Sequence, residues 1–187
     1  IARLNEMGVE PFLISASLLG IVSQRLLRRI CMKCRVSYHP GPEELGHFGL
    51  LSSAEHKVTF YKAFRPEPDA THVCSVCQGR GYKGRIGVFE VLRLNETIAS
   101  AVAQGASTDV IRKLALEAGM KTLLGYGLDL VREGQTTLEE VERMLLTDTE
   151  LESERRARAL TTLTCSGCGA GLRDEWLECP YCLTERT

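Results

Sequence analysis

Residues 31–77 read CMKCRVSYHPGPEELGHFGLLSSAEHKVTFYKAFRPEPDATHVCSVC, with one Cys-x-x-Cys pair at each end: Cys31/Cys34 and Cys74/Cys77. A Cys-x-x-Cys pair sets two sulfurs on one tight turn, where both can face a single ion. Two such turns supply the four thiolates of a closed tetrahedral zinc site. A closed site keeps no position for water, so the expected role is structural. The run between the pairs is punctuated by Pro and Gly and has little apolar content. A zinc clip would close a loop that could not fold alone. The flanks, Ile21–Ile30 and Arg85–Leu92, read as strands. Val22, Leu26 and Ile30 recur at both the helical and the strand period, and the β-branched start after Gly20 favours the strand.

All eight cysteines fall into four such pairs. Secreted disulfide frameworks seldom pair every cysteine at one spacing, and nothing here resembles an export signal. A reducing, cytoplasmic setting with two zinc sites is the simpler expectation. The second site is Cys165/Cys168 with Cys179/Cys182, at the closer spacing of a zinc ribbon. With Trp176 as its one tryptophan and few other large apolar residues, that tail could scarcely form a core without metal. No apolar run approaches the length of a membrane span. The formal net charge of -1 argues against a general nucleic-acid binder.

Upstream, Ile1–Met7 reads as a helix tail that Gly8 stops, and Pro11 opens a short helix that Gly20 closes. A chain starting with Ile inside a helix tail is expected to be a piece of a longer protein. Arg25, Arg28, Arg29, Lys33 and Arg35 lie in a stretch, Pro11–Pro42, without acidic residues. They read as a solvated face beside anionic thiolates; contact with an anionic partner or nucleotide is the alternative. Within the insertion, Pro42–Leu51 reads as a short helix and Val58–Phe64 as a strand. The glycines of Gln78–Gly87 read as turn makers, because the stretch ends in a strand and holds no Gly-Lys-Ser/Thr.

After Leu94 the chain reads as helical. Asn95 caps Glu96–Gln104, Ser107 or Thr108 caps Asp109–Ala118, and Thr122–Glu133 follows. Thr137-x-x-Glu140 has the form of a capping box opening Leu138–Leu146. These short helices predict a small bundle on the preceding sheet. Asp148–Arg158 is a charged helix extension or linker.

The succession MGVEPFLISASLLGIVSQRLLRRIC, the two cysteine pairs, GYKGRIGVFEVL and GLDLVREGQTTLEEV resembles the C-terminal third of the type II secretion and type IV pilus assembly ATPases. The likeness runs from Ile1 to about Leu146. It implies an α/β fold: residues 1–30 end a RecA-like motor domain and 31–84 form an inserted zinc subdomain held by Cys31, Cys34, Cys74 and Cys77. Residues 85–147 are a strand plus the helical subdomain, 148–160 a charged linker, and 161–187 the extra ribbon. The whole protein it implies is a hexameric cytoplasmic ATPase using ATP and magnesium, peripheral to the inner membrane through platform and adaptor proteins. The P-loop of that family is not in this chain, so the chain alone is expected to be inactive and to carry no catalytic or cofactor-binding residue. Gln24, Arg25 and Leu26 would lie near the nucleotide or a subunit boundary. Tyr126 stands where the family often has an acidic residue and reads as a tolerated change on a helix surface.

Two other classes stay open. Cys74-x-x-Cys77-x-Gly79-x-Gly81 matches one repeat of the J-type co-chaperone cysteine-rich domain, and the terminal ribbon with Arg155, Arg156, Arg158 and Arg173 could bind nucleic acid. The other three pairs lack the second glycine, and neighbouring acids offset the arginines.

Overall fold

The computed structural model describes residues 1–50, 58–66 and 73–146, together with the backbone of 163–164 and 171–172. It is mixed α/β. Helices α1 (Ala2–Glu6) and α2 (Pro11–Ser17) precede β1 (Gly20–Ile30); β2 (Val36–Tyr38), α3 (Pro42–His47), β3 (Phe60–Lys62) and β4 (Tyr82–Arg93) follow. Then come α4 (Glu96–Ala103), α5 (Thr108–Glu117), α6 (Leu123–Arg132), α7 (Leu138–Leu145) and the short strands β5 (Leu163–Thr164) and β6 (Gly171–Leu172). No helix among the described residues is long and apolar enough to cross a membrane.

β1 and β4 form a two-stranded ribbon. Its ends are marked by Leu94 N–H donating to Leu19 C=O at 3.1 Å and Cys31 N–H donating to Gly81 C=O at 2.9 Å, so the strands are antiparallel. The β-branched start at Ile21 resolves as strand over the whole of Gly20–Ile30. Gly20 begins β1 and does not close α2. A Cβ there would stand 2.7 Å from Leu92 O, so the close approach of β4 calls for glycine.

Two compact units divide the chain. Through residue 146, one contains Ile1–Ser23 and Glu90–Lys121; the other contains Gln24–Phe89 and residues 122–146. In the first, α2 packs on α4 and α4 on α5. Ile98 and Val102 on α4, and Ile111 and Ala115 on α5, each repeat at i, i+4 and meet Ile14 in a small core. Asn95 and Ser107 accept from Ile98 N–H and Val110 N–H, respectively, and cap the two helices as their sequence positions predict.

In the second unit, Leu27 of β1 and Val88 of β4 share a core with Leu124, Leu128 and Val131 of α6 and Val141 and Leu145 of α7. Leu45, Phe48, Leu50 and Phe60 of the insertion enter the same core. These four buried side chains tie the insertion to the core, while its Val36, Phe64, Val73 and Val76 stay exposed. β2 and β3 pair antiparallel, Val36 opposite Lys62 and Tyr38 opposite Phe60. β2 has no counterpart in the sequence reading, since three residues are too few for an alternating pattern.

The expected bundle helices thus divide, α4 and α5 in the first unit and α6 and α7 in the second. Tyr126 is not on a solvated helix surface. It is half-buried and sets its ring edge-on to Phe89, centroids 6.1 Å apart.

Candidate metal centre

The ribbon explains how cysteines 43 positions apart meet. β1 runs directly into Cys31, and β4 starts at Tyr82, just beyond Cys77. The bond from Cys31 N–H to Gly81 C=O sets the two cysteine turns side by side. Each turn closes on its own backbone: Cys34 and Arg35 N–H both donate to Cys31 C=O, and Gln78 N–H donates to Cys74 C=O. Gly81 has φ +72, and a Cβ on it would press to 2.8 Å on Ala63 Cβ and 2.9 Å on Phe64 O, so only glycine fits.

All four sulfurs lie within 4.8 Å of one another. Cys31 Sγ is 3.9 Å from Cys74 Sγ, and Cys34 Sγ is 3.6 Å from Cys77 Sγ. A tetrahedral ion with zinc–sulfur bonds near 2.3 Å sets its ligands about 3.8 Å apart, so the donor set and its spacing fit one zinc. Cys31 and Cys77 are buried, whereas Cys34 and Cys74 are partly exposed. Backbone N–H groups of Cys77 and Val76 lower the Cys74 thiol to about 6. Burial, then the neighbouring thiols, push Cys34 far up instead. Four thiolates this close repel strongly, and a divalent cation is what would let all four ionise together. Cys165, Cys168, Cys179 and Cys182 lie outside the described residues.

The basic run beside the cluster is a solvated face in part: Arg25, Arg29 and Lys33 are exposed, whereas Arg28 and Arg35 are half-buried. Arg28 stacks over the Tyr82 ring at 4.1 Å and bonds Glu140 from Nε, Nη2 and its backbone N–H. Arg29 donates twice to Gln135 Oε1. Arg35 lies over Tyr61 and donates to Gly134 C=O at 2.6 Å. Thr136 Oγ1 donates to Arg28 C=O, and Ile30 N–H donates to Gln135 C=O. The segment Gly134–Glu140 is thereby clasped to the end of β1, next to the first cysteine turn. An Arg65–Glu139 ion pair and a 3.2 Å hydrogen bond between His47 Nε2 and Glu142 Oε1 further tie the insertion to α7.

The same clasp corrects the capping box. Thr137 Oγ1 accepts from Glu140 N–H as expected, but the Glu140 carboxylate turns to Arg28 and Arg143 rather than back to the cap. Glu140 is fully buried. Burial pushes its carboxyl up, yet the Arg143 and Arg28 donors outweigh this and hold it below the usual range. Sequence reading missed this residue because Thr-x-x-Glu already had a local explanation. The available signal was a run of arginines with no acid near it in sequence.

A two-stranded ribbon ending in a four-cysteine cluster defines an α/β segment with a candidate metal site. Residues 1–143 match the family described as "Type II/IV secretion system protein", and the chain belongs to that family. It is 44% identical over 141 residues to a type IV pilus assembly ATPase PilB of Thermus thermophilus, covering 75% of this chain and 15% of that protein. It is 35% identical over 144 residues to the type II secretion system ATPase E of Vibrio cholerae, covering 77% and 26% respectively. A PilB of Myxococcus xanthus is 35% identical over 142 residues, covering 75% of this chain and 24% of that protein. The chain thus spans about a quarter or less of these relatives.

Proposed function

We propose that this chain is the C-terminal part of an ATP-driven motor for type II secretion or type IV pilus assembly, supplying zinc-stabilised structure and contacts to subunits and partners. The observation that carries the proposal is the convergence of the four sulfurs at zinc-ligand spacing inside the span matched by the family. In this reading Cys31, Cys34, Cys74 and Cys77 hold one structural zinc. When bound, the ion supplies the positive charge that joins the two turns. The chain's own part is to present four sulfurs from two turns at the ribbon end, a full ligand set that leaves the ion no position for water.

A second zinc is assigned to Cys165, Cys168, Cys179 and Cys182. The spacing supports this, as does the antiparallel pairing of Leu163 with Leu172 and Thr164 with Gly171, which flanks Cys165-x-x-Cys168 in sequence. The proposal also takes residues 1–30 as the end of a RecA-like domain, 31–84 as the zinc insertion and 85–147 as the closing strand and helical subdomain. Residues 148–160 are then a linker and 161–187 the ribbon. The whole protein would be a cytoplasmic hexamer held at the inner membrane by platform and adaptor proteins.

Metal analysis of the purified chain tests the assignment. Two zinc ions per chain are expected, falling to one on Cys34→Ser or on Cys168→Ser. Retention of both ions by Cys34→Ser overturns the first site, and a native yield of one ion overturns the second. ATP turnover by this chain above a no-protein control would contradict the placing of the catalytic apparatus elsewhere in the motor.

A further inference from the structure

A cleft of about 600 Å³ in the second unit is lined by Arg25, Arg28, Arg85 and Arg143, with Gln24 and Glu140 among the other wall residues. Four guanidinium groups face one carboxylate there. Glu140 cannot neutralise the remainder, because both its oxygens are taken by Nε and Nη2 of Arg28 and of Arg143. These bonds leave Nη1 of both arginines without a partner among the described residues. Arg28 is fixed from its other side by the Tyr82 ring, whose hydroxyl lies 2.9 Å from Thr137 Oγ1. Among the described residues Arg25 bonds only the carbonyl of its neighbour Gln24, and Arg85 makes no hydrogen bond or ion pair.

Two arginines locked in place and two without an ion-pair partner among the described residues form a concave cationic site. From this geometry we infer that the cleft binds a phosphate-bearing anion, with Arg28 and Arg143 as the preorganised pair and Arg25 and Arg85 closing on the ligand. The planar guanidinium fork matches two oxygens of one phosphoryl group, and Gln24 adds a neutral donor. The cleft volume leaves room for more than one phosphate. Glu140 is a positioning residue here: it orients both guanidinium groups and turns their free N–H bonds outward.

Calorimetric titration of the full zinc-loaded chain with inorganic pyrophosphate, and separately with ATP without magnesium, tests the site against sodium chloride at matched ionic strength. Saturable binding is expected, weakened about tenfold or more in Arg85→Gln and in Arg25→Gln. The unliganded melts of both variants should match the parent chain. Equal affinity for the two probes identifies the phosphates alone as the recognised feature; markedly tighter ATP binding identifies a nucleotide as their source. Binding no greater than the chloride control, or an Arg85→Gln variant that binds like the parent, overturns the inference. Neither result bears on zinc content, so this site and the zinc assignment fail independently.

Discussion

Glu140 is fully buried with two guanidinium partners, while those partners are partly exposed, at 39% for Arg28 and 53% for Arg143. Replacing Glu140 with Ala frees two arginines that can rehydrate, so the loss falls below that of an ion pair sealed in a core. Glu140→Ala is expected to cost on the order of 2–3 kcal/mol in denaturant unfolding. Its pH dependence has a fixed sign. The folded carboxyl is lowered, so the stabilisation is complete above the unfolded pKa and fades as pH falls through the folded value. The difference between the parent chain and Glu140→Gln should stay flat above about pH 5 and close below it. A difference that grows on acidification would reverse the assignment. Gly81 is the other decisive residue, with a left-handed φ and backbone pressed against Ala63 and Phe64. Gly81→Ala should destabilise by about 2–4 kcal/mol, through strain and overpacking together, measured as a lower urea midpoint. The glycine was legible from sequence as a turn maker. The contact that excludes a methyl group was not, because Ala63 and Phe64 approach through pairing elsewhere.

Among the elements, α6 and α7 show how close packing and intrinsic propensity compete. A Cβ on Gly127 would lie 2.6 Å from Leu145 Cδ1 and 3.4 Å from Val141 Cγ2. Ala at this position gains about 1 kcal/mol of helix propensity and displaces the end of a buried leucine, so Gly127→Ala should be near neutral. Gly127→Leu should lose about 1–3 kcal/mol, since the added carbons have no space between the helices. Thermal melts of the two variants separate the effects: equal destabilisation would mean that helix separation is not set at Gly127. The helices were readable in advance because their caps are local. Asn95, Ser107 and Thr137 each accept from an N–H three residues on, and so does Thr122, which the sequence reading placed inside its helix. Their partners were not readable, because the stripe on α6 fits equally a neighbouring helix, a ribbon or the insertion.

At the scale of the molecule, the proposed zinc joins turns that bracket the insertion, and the insertion's Leu45, Phe48, Leu50 and Phe60 lie in the core of the second unit. Removing the metal should therefore loosen more than a loop. Chelation of the first site is expected to expose amides of β2, α3 and β3 to hydrogen exchange and to reduce protection of α6 and α7. Protection unchanged throughout the second unit would show that the apolar core holds the insertion without the ion. By itself, the sequence determined the cysteine pairs, the caps, the strands flanking the insertion and the ordered motifs that carry the family. Each of those is a local feature, written in spacing or in one residue's backbone preference. Tertiary structure alone decided how the two cysteine turns are brought together, that the arginines of β1 clasp Gly134–Glu140, and that helices close in sequence enter different units. Those outcomes depend on which surfaces meet after the β1–β4 ribbon forms, and pairing between residues far apart leaves no periodic trace along the chain.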